Sequence, residues 1–216
     1  MVAAFAALAV AAQVVAELYP GSTTANALYF LNAANESSVP TLFSSLLLLA
    51  AAGLAAAIAA GAGRTSGRWR LLAVVVALLA IDEGAGIHEA SVLPLRRLLD
   101  ADGVLHFTWV VPGALFAVAL VPLFRPLVAE LSRRQGRLFV AAAGLFFGSA
   151  IGLELVEGAI ADEHGGGTAG LIPVNTAQET IEMIGATLFL YVLMDRVAPW
   201  RGALRIERSE AERGRA

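Results

Sequence analysis

Apolar residues come in long runs along this chain, divided by short clusters of proline, glycine and charge. Segments 2–19, 41–62, 71–93, 106–124, 138–160 and 177–198 are each long enough to cross a hydrocarbon core of about 30 Å as a helix rising about 1.5 Å per residue. Pro20, Pro40, Pro94 and Gly136 mark breaks between them. The pattern predicts an all-α fold: a polytopic integral membrane protein, a six-transmembrane-helix bundle in one domain over 1–200. The remainder, 201–216, reads as a short charged tail forming a solvated or interfacial helix.

Composition sharpens this picture. The chain is 58% hydrophobic and 15% charged, with a mean hydropathy of +0.72. A soluble chain of 216 residues would have to bury nearly every face of every helix, which so short a chain can hardly do. With no cysteine, thiolate metal ligands, iron–sulfur clusters, disulfides and a cysteine nucleophile are excluded. All 15 basic residues are arginine, which removes a retinal or pyridoxal Schiff base. Nucleic acid is not expected as a partner.

The arginines fall almost entirely on one side. Arg64, Arg68 and Arg70 follow the second segment; Arg125, Arg133, Arg134 and Arg137 follow the fourth; and Arg196, Arg201, Arg205, Arg208, Arg213 and Arg215 accompany the end of the sixth. The positive-inside rule makes that side, and with it both termini, cytoplasmic in the cell membrane. The first segment lacks the basic region of a cleaved signal peptide and is expected as a span. Residues 21–38 form a polar outer loop, in which Asn35-Glu36-Ser37 matches a glycosylation acceptor.

Against this background the stretch IDEGAGIHEA, residues 81–90, is out of place. It puts Asp82, Glu83, His88 and Glu89 into the third segment, with Asp82 and Glu83 roughly 17 Å above its start. The same topology brings Glu17, Glu154, Glu157, Glu179 and Glu182 into the outer half of the bilayer, with His106 opening the fourth segment from outside. The pairs Glu154/Glu157 and Glu179/Glu182, three apart, each share a helix face. Asp82 and Glu89, seven apart, would share a stripe on a continuous helix.

No arginine lies at this depth, and each carboxylate near mid-bilayer costs about 3 kcal/mol to insert. The acids must be protonated, solvated by a water-filled cavity, or neutralised by cations. Some have simpler explanations. Thr176-Ala-Gln-Glu179 matches a capping box, Glu17 and Glu89 fit the interface, and Arg96 and Arg97 can pair with Asp100, Asp102 or rim acids such as Glu157. Asp162-Glu163-His164 fits an exposed loop, and Trp109 and Pro112 fit belt and kink roles. Gly144, Gly148 and Gly152 leave one helix face bare for a neighbouring helix. None of these explanations covers Asp82 and Glu83.

Oxygen ligands with one or two imidazoles on facing helices suit a divalent metal such as iron, manganese or zinc. The expected ligands are Glu83, His88, Glu154, Glu157, Glu179 and Glu182, with His106 as a further one. Asp82 and Glu83 are the expected catalytic acids, Asp82 either supporting the ligands from behind or carrying protons. The expected function is a metal-dependent hydrolase or oxidoreductase acting on a membrane lipid or other apolar molecule, its site open to the extracytoplasmic side. The alternatives are a cation or proton transporter, and a metal-free acid catalyst such as a terpenoid cyclase or isomerase.

Overall fold

In the computed structural model, residues 38–165 and 170–213 are described, with scattered positions between 4 and 19; side chains are described as far as Val197. The first expected span, with Glu17, and the loop over 21–37 lie outside the described residues apart from those positions. Among the described residues the chain is all-helical and contains no strand.

Helix α1 spans Val39–Gly61, and its start is written locally. Ser38 Oγ accepts the Thr41 N–H at 3.2 Å, and Pro40 sits in the first turn, where its missing N–H is not needed. A 3₁₀ turn over Gly63–Thr65 leads into α2, Ser66–Ala85. Gly86 then adopts a left-handed conformation (φ 60°, ψ 37°), and α3 runs over Ile87–Leu99. A second 3₁₀ turn, Gly103–Leu105, precedes α4, Val110–Ala129. Helix α5, Arg133–His164, begins in a reciprocal capping box between Ser132 and Gln135. Helix α6 runs from Leu171 to Arg213 without interruption, so the segment expected as a separate tail helix continues it.

Among the described residues three helices, α1, α4 and α5, are long and apolar enough to cross a membrane, and α2 with α3 forms a fourth such segment bent by 79°. That bend corrects the expected continuous helix over 71–93. The break falls at Gly86, because glycine takes a left-handed backbone at no steric cost. Pro94, expected to end the span, lies inside α3.

Helix α5 packs most extensively on α6, α1 packs on α2, and α1 also contacts α6. The core they share is built from Ile58, Trp69, Leu72, Leu127, Phe139 and Leu193. The closest crossing is at Gly185 of α6, where a Cβ would lie 2.9 Å from Phe146 N and 3.1 Å from Ala142 O of α5. Gly144, Gly148 and Gly152 have nothing within 4 Å of where a Cβ would be, so the close approach expected at that stripe occurs elsewhere.

Candidate functional site: a buried carboxyl cluster

The break at Gly86 decides what IDEGAGIHEA does. A new helix must begin at Ile87, and its first N–H groups have no intrahelical acceptor. Asp82, in the last turn of α2, supplies one: its Oδ1 accepts the His88 N–H at 3.0 Å. The other oxygen of the same carboxylate lies 3.0 Å from His88 Nδ1. Asp82 thus holds the bend from both sides and orients the imidazole. Its side chain is 34% exposed and that of His88 22%, so the pair sits at a partly exposed edge of the bundle.

On its other face His88 meets Trp109, with ring centroids 4.7 Å apart and planes at 56°. Gly113 makes room for the indole, since a Cβ there would come within 2.7 Å of it. Trp109 is therefore a wall of the site, not the belt residue expected from sequence. Its buried Nε1 stands beside Glu154, short of a full hydrogen bond.

Behind this wall the carboxyl groups of three elements approach one another. Glu154 and Glu157 are buried on one face of α5, and Glu182 is buried on α6. Glu83, half-buried at the end of α2, is within electrostatic range of Glu182, which also senses Glu179 and Glu154. Glu89 of α3 acts on both Glu154 and Glu157. The buried Gln178 ties α6 to α5 by donating from Nε2 to Glu154 Oε2 at 3.1 Å. Asn175 hydrogen-bonds Glu157.

Three buried oxygens of this cluster, Glu157 Oε1, Glu182 Oε1 and Gln178 Oε1, accept no hydrogen bond from the described residues. Among the described residues, the ionisable base acting on the acids is His88, which acts on Glu83 and Glu154. Among the described residues, no group of three or more histidine, aspartate and glutamate side chains is gathered tightly enough to hold a metal ion.

His106 belongs to a separate network. Arg96 donates from Nη1 to His106 Nε2 at 3.3 Å, from Nη2 to Asp102 Oδ1 at 2.8 Å, and from Nε to the Ala101 carbonyl at 3.2 Å. Asp162, which continues helix α5 where a loop was expected, lies 3.5 Å from both Arg96 Nη2 and His106 Nδ1. This network fastens the Gly103–Leu105 turn against α5. Gly158 lets the turn sit down, since a Cβ there would come within 2.8 Å of the Val104 carbonyl. Arg96 therefore pairs with Asp102 and Asp162 and not with Glu157.

Sequence reasoning missed Gln178, Trp109 and the Asp82–His88 bracket. The signal for the bracket was the pair Gly84 and Gly86 flanked by Asp82 and His88. Nothing in the apolar pattern marks Gln178.

An apolar cavity of about 520 Å³ lies toward the arginine-rich end of the bundle, among α1, α2, α4, α5 and α6. Leu79 and Gly185 line it, and Glu83 and Glu182 lie about one helical turn from them along α2 and α6. The acids thus stand between a partly exposed edge at Asp82 and His88 and an apolar chamber.

Fold and site together define a protein that is all-helical in its described residues, with three to four segments there apolar enough to span a membrane, and that buries carboxyl groups of α5 and α6 beside one another. The chain belongs to the family described as Domain of unknown function (DUF8692), which matches it over residues 1–197. No curated protein and no solved structure matches it.

Proposed function

We propose that this protein is an integral membrane enzyme that acts on an apolar molecule, with the half-buried Glu83 and the buried Glu154, Glu157 and Glu182 as its acids. In this reading the bundle has six spans with both termini cytoplasmic, and the acids lie in the outer half of the bilayer. The observation that carries it is the unpartnered pair Glu157 Oε1 and Glu182 Oε1, buried near an apolar cavity of about 520 Å³. A cavity of this size falls within the range of about 300–1,000 Å³ typical of small-molecule sites.

The roles follow from position. The cavity holds the apolar body of the substrate, and a carboxyl group at its end gives a proton to the reacting atom or takes one from it. His88, held by Asp82, exchanges protons between the partly exposed edge and Glu83 or Glu154. Trp109 shields that exchange from lipid. A pure transport role is less well supported, because the other half of the bundle presents an apolar chamber and no ladder of polar groups.

One observation favours a second reading, a divalent metal centre. The two unpartnered carboxyl oxygens are hard donors of the kind iron, manganese or zinc takes. Glu83, Glu154, Glu157, Glu179, Glu182 and His88 would hold it, after drawing closer than they stand. Bound there, a metal would supply an activated water or oxygen.

Elemental mass spectrometry on chelator-free protein, paired with profiling of apolar extracts from membranes carrying wild type or Glu182→Gln, tests both. The acid reading expects a change in extracted species that Glu182→Gln abolishes, without stoichiometric metal. Stoichiometric metal lost in Glu182→Gln supports the metal centre. Identical extracts and no metal refute both.

A further inference from the structure

The lining of the apolar cavity contains a single charged residue, Arg125. It lies near the arginine-rich end of α4 and is exposed. Among the described residues it makes no ion pair: the nearby Glu130 is engaged by Arg68 at 3.9 Å. The wall between α4 and α5 is open, with Val118, Val121 and Val140 of the lining 68%, 67% and 59% exposed. Along α4 the lining runs from Ala117 to Val128, about 16 Å of helix, with Arg125 toward one end. At the other end of the bundle lie Glu83 and Glu182.

An apolar chamber with a lateral opening, and at its rim one cation without an ion pair among the described residues, is complementary to a molecule with one apolar chain and one anionic head. We propose that the cavity binds an anionic single-chain amphiphile, its carboxylate or phosphate head on the Arg125 guanidinium and its chain between α4 and α5. The far end of the chain then points toward Glu83 and Glu182. Arginine suits the head because its planar fork donates two parallel hydrogen bonds to such a group. The molecule enters sideways from the bilayer at the arginine-rich side, while protons reach the acids from the side of Asp82 and His88. This names the substrate class for the proposed function and rests on it for the chemistry at the chain end, though not for binding.

The test uses the full-length protein in nanodiscs and a diazirine-bearing palmitic acid, with its methyl ester as the uncharged control. Cross-linked peptides are mapped by mass spectrometry. The acid is expected to label peptides of α4 and α5 around Val121 and Ala143, and Ala143→Phe, which fills the chamber, is expected to abolish that labelling. Arg125→Gln is expected to cut labelling by the acid about tenfold while leaving that by the ester unchanged, a difference of about 1.4 kcal/mol. Arg125→Lys keeps part of it. Glu182→Gln protein still labels, so loss of binding and loss of acid chemistry are read separately.

Equal labelling by acid and ester, or labelling indifferent to Ala143→Phe, overturns the proposal. So does a photo-cross-linker at Val121 that captures residues 2–19 of the same chain in place of the probe, since the chamber would then be filled by the protein itself.

Discussion

Asp82→Ala separates a carboxylate that holds the fold from one that does chemistry. The wild-type side chain makes two contacts across the break, to the His88 N–H and to His88 Nδ1, both at 3.0 Å. The backbone bond contributes about 1 kcal/mol net. The imidazole contact is discounted to roughly 0.5 kcal/mol because Asp82 is 34% exposed and solvent screens it. A negative charge at the start of α3 adds about 0.3 kcal/mol through the helix dipole. The sum, roughly 2 kcal/mol, corresponds to about a 20- to 30-fold rise in local opening.

Amide hydrogen exchange, followed by mass spectrometry on protein in nanodiscs, reads this opening directly. Peptides from the first turns of α3 should lose protection by that factor, while α1 and the middle of α5 should not change. Asp82→Asn keeps one acceptor oxygen for the His88 N–H and should lose only a few-fold. Unchanged protection in Asp82→Ala would refute the bracket and return Asp82 to the group of purely chemical acids. A loss spread over the whole chain would refute the local magnitude.

Three other outcomes are expected. Gly185→Leu should cost about 1–3 kcal/mol by forcing α5 and α6 apart, whereas Gly152→Ala should be neutral or gain up to about 1 kcal/mol from helix propensity; thermal unfolding in one detergent compares them, and equal effects would contradict the crossing. Glu157→Gln and Glu182→Gln should leave the midpoint unchanged or raise it, since each removes one of several like charges around an oxygen with no partner; a marked fall would show a structural bond at that oxygen. Arg96→Ala should raise protease cleavage between residues 100 and 109, and Arg96→Lys should not rescue it, because an ammonium cannot reproduce the guanidinium fork to Ala101, Asp102 and His106.

The sequence carried the apolar helices well because burial in lipid depends on run length, which hydropathy reads. Helix α1, Val39–Gly61, falls within two residues of the expected 41–62. Helix α5 exceeds its expected span at both ends, since the capping box at Ser132 and the final turn through His164 use polar residues that an apolar count leaves out. The break at Gly86 was not legible in the same way. The polar residues around it signal a cost and not a bend, and what interrupts the helix is one left-handed backbone angle with a side chain six residues away that caps the next turn.

The acids divide along the same line. Helical spacing placed Glu154 and Glu157 on one face, and both are buried. It could not place Asp82 and Glu89, because a seven-residue stripe presupposes the straight helix that Gly86 ends. Nor could it assign His106, whose partners Arg96 and Asp162 lie 10 and 56 residues away in the chain. Depth alone made Asp82 and Glu83 look like a functional pair. Tertiary contact separates them, Asp82 to the bend and Glu83 to the cluster.

That separation bears on why the remaining acids are costly to keep. A carboxyl group that only stabilises a membrane bundle can be matched by an arginine, as Asp102 and Asp162 are matched by Arg96. Glu154, Glu157 and Glu182 are buried without such a match, and each would be cheaper as an apolar side chain by about 3 kcal/mol on insertion scales. Gln178 satisfies one oxygen and leaves its own carbonyl unpaired, so it adds alignment without neutralising charge. Among the described residues His88 is the one base near these acids, so a proton, a cation or a polar group of a bound molecule is what can balance the rest of the cluster. Of the two boundaries of the cluster, Asp82 and His88 can pass a proton, and the cavity can bring a substrate.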